Sequence, residues 1–524
     1  MKILFLASEC APFIKTGGLA DVVGSLPVAL AERGHDVRVM IPCYSCIPAE
    51  WRDRMEETAR IAPLFGWKRE EARVLRLVDR GVTWYFIDAP SRFSVYLIYG
   101  DGMAEAERFA FFCRAALDSL DALGFFPDVL HCNDWQTGLV PALLKAQYAF
   151  RPGYGGIRTV FSVHNLRYQG IFSFRHLNGA LGFPEDWFTP DKLEFYGCLN
   201  CMKTGLVFAD RVSTVSPTYA HDIMTPEGGD QLDGVLRARG DGVTGIVNGI
   251  DTVSYDPEHD PWIRKRYTAA DYAEGKAACK AALQEEMGLS VRTDVPLIGM
   301  ITRLADQKGL DLVHETLHGL VDRDIQFVFL GSGERRYIEF LGRASETRRG
   351  NVAFRCALDE RLAHRIYAGA DLFLMPSAFE PCGLSQLIAQ RYGCVPIVRE
   401  TGGLKDTVRP YNRFTGEGDG FTFSNYSAAD LGDAVLRAVD VYRNCREAMD
   451  GLIRSGMEKD FTWLHSAAEY ERLYALAAGD RAAVTDGPKE TASEKPMEQP
   501  QKAPVKKAKA AGRKKPAAKT KKAD

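Results

Sequence analysis

Glu380-Pro-Cys-Gly-Leu-Ser-Gln-Leu387 follows an apolar run, Asp371-Leu-Phe-Leu-Met375, and a short link, Pro376-Ser-Ala-Phe379. An apolar run of that length, closed by proline, predicts a buried strand. From Leu384 through Ala389 and Tyr392 to Gly393 the sequence predicts a helix with glycine at its end. Glu380 and Gly383 therefore fall in the loop between a strand's C-terminal end and a helix's N-terminus. In an open parallel sheet, ligands bind at that edge. Free backbone N–H groups at a helix start favour an anion. A carboxylate in such a loop fits a neutral polyhydroxyl group that adjoins a phosphate.

The same alternation runs outward from this stretch. In the first half, strands are predicted at Lys2–Ala7, Val37–Ile41, Thr83–Ile87, Val129–His131, Thr159–Val163 and Val212–Val215. Helices are predicted from Gly18 to Arg33, with a kink at Pro27, and around Leu199–Ala209. In the second half, strands are predicted at Pro296–Ile301, Gln326–Leu330, Asp371–Met375 and Val395–Val398. A helix spans Gly309–Leu320, and another starts at Glu334. Strand–helix alternation with short links predicts parallel, doubly wound sheets. The boundary is placed near Asn248-Gly-Ile-Asp251, after a last short strand at Ile246–Val247. The expected domains are 1–248, 249–465, a returning C-terminal helix at 466–480, and a tail at 481–524. Two such domains enclose a cleft suited to a small molecule.

Length and composition agree with this plan. At 524 residues, 46% of them hydrophobic, the chain fits two or more globular domains. No run approaches the roughly 20 apolar residues of a membrane span. The opening run Met1-Lys-Ile-Leu-Phe-Leu-Ala7 is too short for a signal sequence, and Glu9 follows it, so a cytoplasmic location is expected. Two of the 12 cysteines' spacings are Cys-x-x-Cys, Cys43/Cys46 and Cys198/Cys201, but 151 residues lie between the pairs. Reduced, mostly buried thiols are expected rather than a shared metal site. The net charge of −3 hides an asymmetry: the stretch from Arg481 onward contributes +8, leaving −11 for the rest. That Lys/Ala/Pro-rich tail has too few apolar residues for a core. Without interleaved aromatic residues it reads as a solvated linker rather than a nucleic-acid-binding arm.

Several loops carry chemistry. Ser8-Glu-Cys-Ala-Pro-Phe-Ile-Lys-Thr-Gly-Gly-Leu19 follows the first strand. Gly17 and Gly18 permit close backbone approach to a ligand, and Lys15 supplies a point charge for phosphate. Thr302-Arg-Leu-Ala-Asp-Gln-Lys-Gly309 occupies the matching loop of the second domain, where Arg303 and Lys308 can hold a diphosphate without a metal. His164-Asn165 and Asn133-Asp134-Trp135 also sit at strand ends, on the same predicted edge.

Together these stretches closely resemble the bacterial glycogen/starch synthases, retaining glycosyltransferases of the GT-B architecture. The resemblance runs from Met1 to about Leu476. It rests on Lys15-Thr-Gly-Gly-Leu-Ala-Asp-Val22, Phe161-Ser-Val-His-Asn165, Thr214-Val-Ser-Pro-Thr-Tyr219, Asn248-Gly-Ile-Asp251, Arg303 with Lys308, Ala368-Gly-Ala-Asp371, Phe379-Glu-Pro-Cys-Gly-Leu384 and Thr401-Gly-Gly-Leu404. It implies two Rossmann-like domains facing a central cleft, and transfer of glucose from ADP-glucose to the non-reducing end of an α-1,4-glucan such as glycogen, without a metal or other cofactor. It implies that Lys15, Arg303 and Lys308 hold the diphosphate and that Glu380 binds the glucosyl hydroxyls. The backbone at Cys382, Gly383 and Leu384 would support sugar and phosphate, and His164 and Asn248 would touch the glucose. Asp134 and Glu9 would lie toward the acceptor.

The chain also departs from that family. Leu358-Asp-Glu360 stands where relatives often place a tyrosine near the adenine. Tyr255-Asp-Pro257 stands for a common Trp-Asn-Pro; isoleucine at 388 leaves the Glu-x7-Glu pattern of the wider GT-B enzymes incomplete, as is usual for this subgroup. Phe93-Ser-Val-Tyr-Leu-Ile-Tyr-Gly100 is unlike the commoner Gly/Asn/Asp-rich version. Two other readings compete: a GT-B enzyme using UDP-glucose or a small acceptor, and a glucan-binding scaffold with a dead site. The Lys15-Thr-Gly-Gly-Leu19 loop speaks against the first. The presence of Lys15, Arg303, Lys308 and Glu380 speaks against the second.

Overall fold

The computed structural model describes residues 1–100 and 102–479. The expectations for the tail at 481–524 lie outside the described residues.

The first sheet has nine strands. Its central strand is Lys2–Leu6, a KILFL run whose last four residues are buried. Asp36–Pro42 and Val82–Asp88 extend it on one side, parallel. Val129–Asn133, Arg158–Val163, Arg211–Thr214 and Thr244–Gly245 extend it on the other, also parallel. Ala72–Asp79 and Glu56–Ile61 close the far edge as antiparallel strands. Strand order reverses beside Lys2–Leu6, so the chain leaves Leu6 and Asn133 into one crevice. Such a reversal is where open sheets bind ligands.

The second sheet has six strands, all parallel, in the spatial order Val352–Arg355, Gln326–Leu330, Leu297–Ile301, Leu372–Met375, Val395–Arg399, Phe421–Phe423. Here order reverses between Leu297–Ile301 and Leu372–Met375. The loops carrying Arg303 and Glu380 leave at that point. Buried apolar residues on both faces hold these strands. A fully buried Leu or Phe contributes about 1.5–3 kcal/mol, and Phe5, Leu6, Phe373 and Leu374 are all at most 2% exposed.

Each sheet has its own apolar core. The last helix, Trp463–Ala478, packs on the first core through Trp463, Ala467, Tyr470, Leu473 and Tyr474. Glu471 accepts hydrogen bonds from Arg33 at 2.7 and 2.6 Å, and Ser466 Oγ donates to the Val247 carbonyl at 2.6 Å. The chain thus passes between domains twice, and the two passages touch. Ile250 N–H donates to the Phe461 carbonyl at 2.9 Å. A β-carbon on Gly249 would come within 2.9 Å of the Thr462–Trp463 peptide, so only glycine fits there.

Some local expectations are corrected. The last short strand of the first domain is Thr244–Gly245, not Ile246–Val247. The segment expected as one helix around Leu199–Ala209 divides. Cys198–Asn200 is a strand of a small antiparallel sheet, and the helix is Cys201–Phe208. Asn200 forces the change of state, because its side chain caps the new helix by accepting from Lys203 N–H at 2.9 Å. The helix Gly18–Glu32 runs unbroken through Pro27. All 12 cysteines are free thiols. Among the described residues no helix is long and apolar enough to cross a membrane.

Candidate active site

Both reversal points open on one cleft of about 1640 Å³. Lys15, Gly17, Gly18, Glu9, Asp134, His164 and Asn248 line it from the first domain. Arg303, Lys308, Glu380, Cys382, Gly383 and Leu384 line it from the second. The structure therefore brings every sequence-predicted site residue to a single cavity.

On the second domain, Glu380 is buried and its Oε2 accepts from Lys308 Nζ at 2.7 Å and Ser377 Oγ at 3.0 Å. Arg303 reaches across the cleft, donating to Tyr168 Oη at 3.2 Å. The loop's shape is set from behind by Thr401-Gly-Gly-Leu404. Gly403 N–H donates to the Glu380 carbonyl at 3.0 Å, and a β-carbon on Gly403 would lie 2.2 Å from the Cys382 carbonyl oxygen. The Cys382 thiol is buried, which pushes its pKa up to about 12, and it takes the backbone N–H of Asn248. Cys382 is a packing residue, not a nucleophile.

On the first domain, Lys15 Nζ donates to Asp21 Oδ1 at 2.7 Å. Glu9 is spent on its own loop. Its carboxylate accepts from Thr16 N–H at 2.5 Å, Thr16 Oγ1 at 2.9 Å and Gly17 N–H at 3.3 Å, and from Tyr99 Oη at 3.1 Å. Burial raises its pKa, against the pull of those donors. A β-carbon on Gly17 or Gly18 would meet the protein only at 3.9 and 3.6 Å. The protein's own packing does not demand glycine at either place; the open side is the cleft.

Asp134 and His164 act as a unit. Asp134 Oδ1 accepts from the His164 N–H at 2.7 Å, and burial pushes its carboxyl up to about 7 while the backbone donors pull back. Its backbone lies at φ 55°, a conformation a β-carbon disfavours. His164 Nε2 lies 2.9 Å from Asn133 Oδ1. Asn133 Nδ2 donates to the Leu6 carbonyl at 3.0 Å, so Oδ1 is the acceptor and Nε2 carries the proton. Burial lowers His164 to about 4, so the ring is neutral at neutral pH. Asn248 is 6% exposed, and its Oδ1 has no hydrogen-bond partner among the described residues. A buried orphan acceptor beside a cleft points to a ligand donor.

Sequence reasoning missed the partners that fix these groups. Asp21 lies inside the glycine-rich stretch, six residues from Lys15, and could have been found by charge alone. Tyr99, Tyr168 and Ser377 gave no such signal. Nor did the contacts joining the domains across the cleft floor: Ser216 Oγ donates to the Pro381 carbonyl at 2.6 Å, and Thr218 donates twice to Asp406, at 2.9 and 2.6 Å.

Known proteins share this sequence pattern and fold. Residues 2–238 match the family model for the starch synthase catalytic domain, and residues 285–450 match the model for glycosyl transferases group 1. The chain is 49% identical to the glycogen synthase of Exiguobacterium sibiricum, over 91% of this chain and 99% of that one. It is 46% identical to the glycogen synthase of Bacillus subtilis, over 90% and 98% of the two chains. The chain belongs to the glycogen synthase family.

Glycogen synthase family membership makes it a glucosyltransferase, and the fold agrees. The catalytic domain of starch synthase IV from Arabidopsis thaliana, bound to ADP and acarbose, superposes with a TM-score of 0.85 at 36% identity, over 91% of this chain and 99% of that one. A sucrose-phosphate synthase from Thermosynechococcus elongatus, 17% identical with a TM-score of 0.58 over 90% and 98% of the two chains, shares the fold alone. The architecture is GT-B: two doubly wound domains facing across a cleft. In this family member the Leu358 side chain stands 91% exposed on the cleft wall. Tyr255, also on that wall, stacks on His364 with the ring centroids 4.7 Å apart.

Proposed function

We propose that the enzyme transfers glucose from ADP-glucose to the non-reducing 4-hydroxyl of an α-1,4-glucan, with retention of configuration. The observation that carries this reading is the convergence of Lys15, Arg303 and Lys308 on one cleft with buried Glu380. The Arabidopsis starch synthase IV domain is bound to ADP and acarbose, which supports a nucleotide and a saccharide as ligands of this fold.

In this reading Arg303, Lys308 and Lys15 hold the diphosphate and stabilise the charge that develops as ADP departs. Preorganised charges of that kind are the largest single term in many enzymes. Lys308 and Lys15 each start from a carboxylate partner, so the diphosphate joins ion pairs already oriented. Glu380 takes the glucosyl hydroxyls, and Asn248 Oδ1 and neutral His164 complete the sugar's hydrogen bonds. Backbone at Cys382–Leu384 supports sugar and phosphate. The acceptor hydroxyl attacks from the leaving-group face through a short-lived oxocarbenium-like state, with Asp134 on the acceptor side and Glu9 holding the Lys15 loop. The protein supplies its own cations where the phosphate charge falls, so the chemistry proposed uses no metal or other cofactor. The proposed setting is the cytoplasm.

Release of ADP from ADP-glucose, with and without glycogen and against UDP-glucose, tests this directly. The expected result is glycogen-dependent ADP release that survives EDTA and exceeds the rate with UDP-glucose. Equal or greater turnover of UDP-glucose would sink the donor assignment. Loss of activity to chelator, with rescue by a divalent ion, would sink the metal-free mechanism.

A further inference from the structure

A small antiparallel sheet forms part of the first domain's cleft wall. Its strands are Ile171–Phe172, Cys198–Asn200 and Glu194–Phe195. The turn joining the last two is Tyr196-Gly197, with φ of 48° and 80°. Two consecutive residues at positive φ make the tight hairpin turn that Asn-Gly or Gly-Gly ordinarily occupies. A tyrosine at the first position is disfavoured, because its β-carbon crowds the backbone.

Packing gives no reason for that tyrosine. The residue is 77% exposed, and among the described residues its one ring contact is the edge of Phe195, at 4.8 Å. The hairpin beneath it is nonetheless well secured. Glu194 Oε1 accepts from Gly197 N–H at 2.6 Å, and Lys203 Nζ donates to the carbonyls of Pro190 and Glu194. The neighbouring strand is anchored too, since Cys201 N–H donates to the Gly170 carbonyl at 2.9 Å. A firmly held turn thus displays an exposed aromatic ring on the wall of the cleft that holds Asp134 and His164. Phe195, Phe172 and Trp135 continue the aromatic surface inward, Phe172 and Trp135 lying 5.5 Å apart.

We propose that the Glu194–Asn200 hairpin, with Tyr196 at its tip, is a remote acceptor subsite, stacking on glucosyl units of an α-1,4-glucan beyond those at the reacting end. This rests on the glucan acceptor proposed above. A glucopyranose ring presents apolar C–H faces, and an aromatic ring on a firmly held turn offers a flat surface that matches them. Continuity with the cleft wall selects the glucan over an unrelated partner. Tyr196 is then a specificity-determining residue for acceptor length, remote from bond formation.

The test uses the full-length enzyme with saturating ADP-glucose, and compares glycogen with maltose and maltotriose. Tyr196→Ala is expected to raise KM for glycogen up to about tenfold, the size of one lost aromatic stacking contact. Turnover, KM for the short acceptors and KM for ADP-glucose stay at wild-type values. Tyr196→Phe keeps the wild-type pattern, because the ring and not the hydroxyl makes the contact. Tyr196→Gly suits the turn's backbone and replaces the alanine variant if that one yields too little folded protein. Unchanged KM for glycogen, an equal rise for short and long acceptors, or a rise for ADP-glucose instead would each overturn the inference. Failure of Tyr196→Phe to behave as wild type would overturn the stacking role. If the unaltered enzyme shows no glucan-dependent ADP release, the underlying reading fails and this inference falls with it.

Discussion

The reversal point of the second sheet gathers charged side chains that pair directly: Lys308 with Glu380 at 2.7 Å, and Arg303 reaching over to Tyr168. The reversal point of the first sheet does something else. There Glu9 is buried and Asp134 half-buried, both satisfied by backbone N–H groups, and desolvation holds His164 neutral. One topology therefore supports two kinds of electrostatics. In the proposed reaction the donor half answers a charge that grows as the diphosphate leaves, and an ion pair already in place would do this without reorganising. The acceptor half receives uncharged hydroxyl groups, and fixed hydrogen-bonding groups suffice. Lys15 is the exception, a cation that lines the same cleft from the first domain and that the proposed mechanism assigns to the donor's phosphates.

This division can be broken first at its strongest point. Glu380→Ala, Lys308→Ala and Arg303→Ala should each lower kcat by on the order of 10²–10³-fold, as for loss of one preorganised stabiliser. Glu380→Ala is the most severe, since it also leaves Lys308 without its carboxylate. Asp134→Asn should lower kcat less than Lys308→Ala. Steady-state kinetics that reverse this order would show that the halves do not divide the work as described.

A gain of function sharpens the same contrast. Leu358 stands 91% exposed on the second domain's side of the cleft wall. Stacking of a base on an aromatic ring is worth about 1–3 kcal/mol. Leu358→Tyr should lower KM for ADP-glucose and widen the preference over UDP-glucose. It should leave the glucan KM alone. A shift in the glucan KM instead would move Leu358 to the acceptor half.

The smallest expected effect concerns stability. Burial holds His131 down to about 3 and His164 to about 4, below the ordinary value near 6.5. The unfolded chain takes up protons in this range that the native state refuses. The stability these histidines contribute is present above pH 6.5 and is lost as pH falls toward 4. Asp134, raised to about 7, acts with the opposite sign: its contribution is full below pH 4 and fades as pH rises through 7. The wild-type curve is a sum of both. His131→Gln isolates one term, and melting temperatures from pH 7 to pH 5 should fall less steeply than in the wild type. An identical slope would mean that His131 titrates alike folded and unfolded.

How much of this could be read from the sequence follows from what each feature depends on. Leu297–Ile301, Gln326–Leu330 and Leu372–Met375 are buried on both faces, so they appear as plain apolar runs and their loops could be located to within a residue or two. Glu56–Ile61 and Ala72–Asp79 were not visible. Glu56–Ile61 is the edge strand and Ala72–Asp79 its antiparallel neighbour; Glu57, Arg60, Arg73 and Arg76 interrupt their apolar residues, and the pattern looks polar. The strands of the small sheet are two or three residues long, too short for any period. At the site, residue types were legible because strand ends and glycines mark where groups converge. Pairings such as Lys308 with Glu380, 72 residues apart, depend on side-chain direction, which spacing does not encode.

The returning helix Trp463–Ala478 has a consequence for synthesis. A ribosome emits the first domain's sheet early, yet the aromatic residues that seal one side of its core are among the last described residues to be made. At elongation rates of about 5–20 residues per second, the whole second domain must be translated in between, a wait on the order of ten seconds or more. For that interval the nascent first domain displays an uncovered apolar face. The order of assembly is thus written into the thread of the chain: the domain begun first is completed last.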